Sequence, residues 1–145
     1  MSKSNAFETE FLNLIFANSD IALIGDAAGV LGSTTAGNLY FSLHTADPTD
    51  AADQTTSEIA YTDYARVAKA RNGSTITVSG NTATLAAAVT FPAGSGGSGT
   101  ATHWGLGTSS AGAGLLLYKG AISPSIVCGN GVTPELAAGT LLTED

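Results

Sequence analysis

The chain has 145 residues, of which 12% are charged, with a formal net charge of −7 and a pI near 4.4. Its length suits one ordinary domain, and five basic residues are too few to neutralise a phosphate backbone, which argues against direct nucleic-acid binding. No apolar run approaches the ~20 residues of a membrane-spanning helix, and the N-terminal residues lack an export signal. We therefore expect no membrane partner and a protein made in the cytoplasm.

The first predicted element is an amphipathic helix over residues 5–17. An Asn-x-x-Glu sequence that begins at Asn5 resembles a capping box. A glycine-rich connector follows, so residues 1–37 are interpreted as helix and connector and residues 38–145 as a β domain. A lone helix beside a β domain either covers its own sheets or docks on a neighbour. Four apolar residues recur at helical spacing on one stripe: Phe7, Phe11, Leu14 and Ile15.

From residue 38 the apolar residues recur at every second position, which is the spacing of a β-strand. The stretch NLYFSLHT alternates two faces of a strand and stops at Asp47-Pro48, a turn signal. Residues 49–60 are acidic and small without periodicity, which predicts an exposed loop. The next stretches, TDYARVAKA, STITVS and NTATLA, are separated by Asn72-Gly73 and Gly80-Asn81, dipeptides typical of tight hairpin turns. They predict three consecutive antiparallel strands.

The second half of the chain continues in short strands. VTFP is followed by a flexible glycine-rich loop over residues 94–100, and THWGLGTSSAGAGLLLYKGAI predicts a hairpin in which Trp104 and Tyr118 are packing anchors. SPSIVC and TLLTED complete about nine strands. The predicted fold is mainly β: a single-domain antiparallel sandwich or small, jelly-roll-like barrel with one N-terminal amphipathic helix.

Sequence motifs for catalysis or metal binding are weak. His44, His103 and Asp47 are suitable metal ligands by type, but they lack paired ligand spacing; the alternative is that each histidine closes a strand with its ring hydrogen-bonded to a backbone carbonyl. There is no Gly-x-Ser-x-Gly elbow, and AGSGGSG lacks the Lys-Ser/Thr pair of a phosphate loop. We expect no catalytic residues, no metal and no cofactor, and hence no enzyme.

Two side chains raise packing questions. Arg66 lies among apolar strand residues, where an unpaired guanidinium is costly, so we expect a structural ion pair with Glu58 or Asp63. Trp104 either fills the core or anchors an interface, and the sequence leaves both open.

The blocks LYFSLHTADP, EIAYTDYARVAKAR, VTFPAGSGG, THWGLGTSSAGAGLLLYKGAI and NGVTPELAAGTLLTED, within residues 24–145, resemble a family of small virion structural proteins of tailed bacteriophages. Family members often carry Phe after the Thr-His pair, where this chain has Trp104, so an aromatic ring is kept. The resemblance implies a structural part of the virion without catalytic residues.

Because the sequence predicts one compact domain and has no long, shaft-like repeat, we expect a capsid decoration, or cement, protein on the outer capsid surface that bridges and stabilises adjacent capsomers. Its partners would be the major capsid protein and copies of itself, as a dimer or trimer. The alternative is a tail-associated or fibre component whose loops at 49–60 and 94–100 contact a host receptor. A third hypothesis is a small hydrolase or sugar-binding module, which a loss of activity on mutation of His103 would favour. The candidate interface residues are Phe7, Phe11, Leu14, Ile15, Trp104 and Tyr118.

Overall fold

A computed structural model describes residues 2–144 and is mainly β, as predicted, with antiparallel sheets and a single helix at its N-terminal end. No helix in this part of the chain is long and apolar enough to cross a membrane. The described elements are α1 (Asn5–Ala17), β1 (Asn38–His44), β2 (Val67–Ala70), β3 (Ile76–Ser79), β4 (Thr82–Leu85), β5 (Val89–Thr90), β6 (Ser98–Gly107), β7 (Leu116–Gly129), β8 (Glu135–Leu136) and β9 (Leu141–Thr143).

The strands form three open sheets within residues 2–144, in the orders β2-β1-β6-β7, β3-β4-β9 and β5-β8, and none closes into a barrel. The contacts divide the chain into two compact units. One comprises Met1–Asn38, Ala70–Ala88 and Ala137–Asp145, and the other comprises Leu39–Lys69 and Val89–Leu136.

In the first unit, α1 contacts β3 and β4. The helix begins and ends where the sequence predicts, but its cap is Ser4 rather than Asn5, since the Ser4 hydroxyl accepts from the Phe7 amide at 3.4 Å. The buried row of the helix is also shifted from the predicted stripe: Glu8, Leu12 and Phe16 are buried. Residues four apart share a helix face, so this row and not the predicted one is covered. The predicted stripe is partly exposed.

The predicted three-strand meander is wrong, because β3 pairs with β4 through the Gly80-Asn81 turn whereas β2 lies beside β1 in another sheet. Arg71 provides the physical reason for the break after β2. Its guanidinium donates to the carbonyls of Leu14 and Ile15, both at 2.6 Å, in the last turn of α1. A cation at a helix C-terminus satisfies carbonyls that have no partner within the helix.

The core of the second unit lies around β1, whose last four residues are all buried, so both strand faces are covered. Trp104 on β6 is 5% exposed and contacts Phe41 with ring centroids 6.1 Å apart. Opposite it on β7, a Cβ added to Gly120 would lie 2.6 Å from the indole ring, so the glycine makes room for it. Trp104 is therefore a core residue of this unit, the first of the two roles that the sequence left open.

The hairpin predicted from residues 102–122 is present, with Gly107 paired to Leu116 across the turn. β7 is longer than predicted, because it continues through SPSIVC as one 14-residue strand at the edge of its sheet. Pro124 is accommodated there because an edge strand has one unpaired side and the β6 register shifts between Ala101 and His103. The glycine-rich loop predicted to be flexible is hydrogen-bonded instead: the Gly94 amide donates to Val132 and the Gly96 carbonyl accepts from Thr62.

Candidate functional site

The second unit contains an open groove of about 440 Å³ between the loop after β1 and the start of β7. This volume lies within the range of about 300–1,000 Å³ typical of small-ligand sites. One wall belongs to the acidic loop that the sequence predicts to be exposed, and the other to the hairpin strand that carries Tyr118. The lining residues are Thr49, Asp50, Ala52, Leu116, Leu117, Tyr118 and Lys119.

The Asp47-Pro48 turn shapes the first wall. The Asp47 carboxylate accepts from the Thr49 amide at 2.8 Å, an Asx turn, and Thr49 has a φ of +65°. Pro48, the central residue of this turn, is buried. Further along, the backbone of Asp53 bridges to Leu115 and the Gln54 amide donates to the Gly114 carbonyl at 3.1 Å. The loop is therefore attached to the hairpin at one end, and the groove opens beyond that attachment.

Lys119 links the two walls by ion pairs. Its ammonium lies 2.9 Å from Asp47 and 3.3 Å from Asp50. The hydrogen bond to Lys119 lowers the pKa of Asp47, and the same bond raises the pKa of Lys119, so both groups are charged at neutral pH. Two carboxylates on one ammonium leave the cluster with a formal charge of −1. The Asp50 side chain is 98% exposed and thus open to a ligand.

A buried ion pair supports the rest of the loop. Arg66 donates from Nε and Nη2 to the two carboxylate oxygens of Glu58, both at 2.7 Å, and from Nη1 to the Ser109 carbonyl at 3.0 Å. The Tyr64 hydroxyl donates to the same carboxylate at 2.8 Å. The side chain of Arg66 is 2% exposed, and its bonds to Glu58 raise its pKa. Asp63, the other partner considered for Arg66, accepts from Ser95 instead.

Gln54 makes a second connection to the hairpin turn. Its side chain is fully buried, accepts from the Ser109 amide at 2.9 Å and donates to the Tyr40 carbonyl at 3.2 Å. A Cβ at Gly107 or Gly114 would lie within 2.3 Å of this side chain, which explains why the turn needs glycine at these positions. Loop 49–60 is therefore fixed at several points, although its sequence predicts only exposure.

His44 lies in a buried polar contact rather than in an open site. Its Nδ1 donates to the Thr56 carbonyl at 2.8 Å, which fixes the tautomer so that Nε2 accepts from the Ser42 hydroxyl at 2.8 Å. Ser42 and His44 are both 0% exposed, and burial lowers the pKa of His44. His103 lies opposite His44 in the register. Within residues 2–144 no group of three potential metal ligands occurs.

The candidate interface residues fall into different places. Phe7 on α1 is 37% exposed, with its ring 6.2 Å from that of Phe11, and Leu14 and Ile15 are half-buried. Trp104 is in the core and Tyr118 lines the groove.

The sequence reasoning missed the contribution of Lys119 and Asp50. A lysine directly after the anchor tyrosine was a weak signal, because its two carboxylates lie about seventy residues earlier in the chain.

A family model described as "Podophage GP4 fiber I protein gp80" matches residues 2–144. A search of curated proteins found no match.

Proposed function

Because this chain belongs to the podophage GP4 fiber I protein gp80 family and is a phage virion structural protein, we propose that it is a fibre component of the tail apparatus. In this proposal it contacts the host surface through the second unit. The single observation that supports the fibre assignment is the family match over almost the whole chain.

The fixed loop gives this proposal a physical basis. A binding loop that is already ordered loses little conformational entropy when a partner binds. Loop 49–60 has such an order, since the Arg66–Glu58 pair and the Gln54 hydrogen bonds attach it to the hairpin turn. The loop that the sequence assigned to receptor contact in the fibre alternative therefore forms one wall of the groove.

The capsid decoration role, our first expectation from the sequence, has less support. The family description names a fibre and not a capsid part. The major capsid protein consequently drops from the proposed partners, while self-association stays in the proposal. The partly exposed ring pair of Phe7 and Phe11 is the apolar surface that we assign to contact with a second copy.

We retain a non-catalytic role in the proposal. The Ser42–His44 contact resembles a nucleophile and base, but both side chains are 0% exposed and His44 donates to a backbone carbonyl rather than to a carboxylate. A substrate cannot reach the hydroxyl in this arrangement.

Fractionation of the virion tests the proposal. Purified particles are dissociated, heads and tails are separated on a density gradient, and this chain is quantified in each fraction by mass spectrometry with isotope-labelled peptides. We expect it in the tail fraction at far lower copy number than the major capsid protein. Recovery with the heads, in numbers comparable to that protein, would restore the decoration role.

A further inference from the structure

Loop 21–31, in the connector that follows α1, carries a concentration of exposed apolar side chains. Of the seven large apolar side chains that are exposed in the described part of the chain, four lie in this loop: Leu23, Ile24, Val30 and Leu31. Leu23 and Leu31 are 79% and 62% exposed. Single exposed apolar residues are ordinary on a protein surface, whereas a cluster of them marks a site of interaction.

Hydrogen bonds fix the two ends of this loop to each other. Ile21 and Val30 exchange two backbone hydrogen bonds, of 2.9 and 2.8 Å, and Ile21 is buried. Outside this pair in sequence, the Asn18 side chain donates to and accepts from the backbone of Ser33, both at 2.8 Å. A Cβ at Gly29 would lie 1.9 Å from the Ile21 carbonyl oxygen, so the close approach of the two sides requires glycine. Because the loop is already ordered, it loses little conformational entropy when a partner binds.

Leu23 has a backbone conformation that bulky residues rarely adopt. Its φ is +65°, in the left-handed region. The turn after it is fixed, since the Asp26 carboxylate accepts from the amides of Ala28 and Gly29 at 2.8 and 3.1 Å. Folding of the chain gains little from a leucine that is so exposed, and the strained backbone adds a cost. The apolar side chain contributes its burial energy only when another molecule covers it.

The charges around the loop limit the kind of partner that fits. The connector, residues 18–37, contains Asp20 and Asp26 and no lysine or arginine. Both aspartates are exposed. Anionic lipid headgroups would be repelled by these carboxylates, whereas lysine or arginine side chains around an apolar pocket would be attracted to them. Charge therefore favours a protein surface with a basic rim.

A second copy of this chain lacks such a rim. The chain has a formal net charge of −7, and each of its five basic side chains already has an interaction within the chain. These interactions are the ion pairs Lys3–Glu144, Arg66–Glu58 and Lys119–Asp47, the hydrogen bonds of Arg71 to the Leu14 and Ile15 carbonyls, and a further contact of Lys69. The partner that fits is consequently a different protein.

We propose that loop 21–31 docks on a different virion protein, in an apolar socket bordered by lysine or arginine side chains. Leu23, Ile24 and Leu31 enter the socket, and Asp20 and Asp26 pair with its rim. This inference goes beyond the fibre assignment, since it needs only that the chain is a virion structural protein. Either a tail protein or a head protein can provide the socket.

Photo-crosslinking in the assembled particle tests the docking directly. The photoreactive amino acid p-benzoylphenylalanine replaces Leu23 in the phage, purified virions are irradiated, and cross-linked peptides are identified by mass spectrometry. We expect a major cross-link to one other virion protein, at a segment that carries lysine or arginine. The control places the same photoreactive residue at Ala113, an exposed position between β6 and β7, and is expected to give no cross-link to that protein.

Variants of the apolar side chains test whether they supply the affinity. Phage that lack this chain receive it from a plasmid during infection, and its incorporation into particles is quantified by mass spectrometry with isotope-labelled peptides. The double change Leu23→Ser and Leu31→Ser is expected to lower incorporation about tenfold or more. The matched control Val127→Ser removes a similarly exposed apolar side chain from β7 and should leave incorporation unchanged. Thermal unfolding of the purified variants should equal that of the parent, because the altered side chains are exposed.

A charge variant tests the basic rim. Asp26→Asn keeps the side-chain oxygen that accepts from Ala28 and Gly29 but removes the negative charge. We expect it to lower incorporation severalfold without a change in thermal unfolding. Incorporation equal to that of the parent would overturn the assignment of a basic rim.

Four results overturn the docking itself. They are a cross-link from position 23 to a second copy, no cross-link from a photoreactive chain that is incorporated normally, incorporation of the double variant at the parent level, and flotation of the purified chain with phosphatidylcholine vesicles that the double change abolishes. None of them bears on the fibre assignment, which virion fractionation tests separately.

Discussion

At the residue scale, Arg66 and Glu58 show how much of a buried contact sequence can predict. A guanidinium among apolar strand residues must have a partner, so the need for an ion pair follows from the sequence. The choice of Glu58 over Asp63 does not, because it depends on the loop geometry that turns Asp63, with a φ of +74°, toward Ser95. Tyr64 and the Ser109 carbonyl complete the cluster and were equally beyond sequence reasoning.

Substitution of Glu58→Gln is expected to lower the free energy of unfolding by about 3 kcal/mol. The change leaves a guanidinium with a 2% exposed side chain without its carboxylate. Urea denaturation followed by tryptophan fluorescence measures the loss. The matched change Glu10→Gln at an exposed helix position should leave the midpoint of urea unfolding almost unchanged. If Glu58→Gln unfolded at the same urea concentration as Glu10→Gln, a stabilising role for the ion pair would be contradicted.

Acidification is expected to destabilise the protein through His44. Burial lowers the pKa of His44 below its ordinary value of 6.5, against the opposing effect of its hydrogen bond to Thr56. The unfolded chain therefore binds a proton that the folded chain resists, and the free energy of unfolding falls as the pH drops below 6.5. Asp47 and Asp53, whose pKa values are lowered from 3.8, titrate below this window.

This pH dependence is tested by the midpoint of urea unfolding, measured at about pH 8 and at about pH 5.5. The His44→Gln variant should lose most of the difference between the two conditions, even if its midpoint is lower in both. An unchanged difference in this variant would show that another group causes the acid sensitivity.

At the element scale, the limits of α1 follow from its apolar period, but the face that it buries does not. The helix sequence carries apolar residues on more than one row, so Phe7-Phe11 and Leu12-Phe16 compete for the sheet. The packing of α1 on β3 and β4 decides between them, and that contact joins segments about sixty residues apart. The spacing of apolar residues alone could not identify which of the two rows is buried.

The two helix faces should differ in mutational cost. Leu12 is 0% exposed, so Leu12→Ala is expected to lower the free energy of unfolding by about 3 kcal/mol through lost burial and a cavity. Leu14→Ala removes the same atoms from a half-buried position and should cost about 1 kcal/mol or less. Chemical denaturation compares them, and equal losses would contradict the orientation of the helix.

The packing of Trp104 on β6 against β7 requires a residue without a side chain at position 120. Gly120→Ala would place a Cβ 2.6 Å from the Trp104 ring, and overpacking of this kind costs about 1–3 kcal/mol. Ala121→Val on the same strand adds bulk at an exposed position and should be nearly neutral. Thermal unfolding of the two variants checks this, and a Gly120→Ala protein as stable as Ala121→Val would mean that the indole can move aside.

At the scale of the whole molecule, the mainly β class was predictable and the sheet partners were not. Alternation and turn dipeptides marked most strands, because these signals are local. The partner of β2 and the continuation of β7 through Pro124 depend on long-range pairing. The groove has the same origin, since Asp47 and Asp50 meet Lys119 across about seventy residues. The sequence did nevertheless single out both walls separately. It predicted loop 49–60 to be exposed and, in the fibre alternative, to contact a receptor, and it predicted Tyr118 on the other wall to be a packing anchor.

The position of this protein in the intact particle is the most direct test of the fibre assignment. Purified virions are incubated with a gold-labelled antibody raised against the full chain and imaged by electron microscopy. The assignment predicts gold on the fibres at the tail end of the particle, with unlabelled shells. Gold spread over the capsid surface, with bare tails, would contradict it.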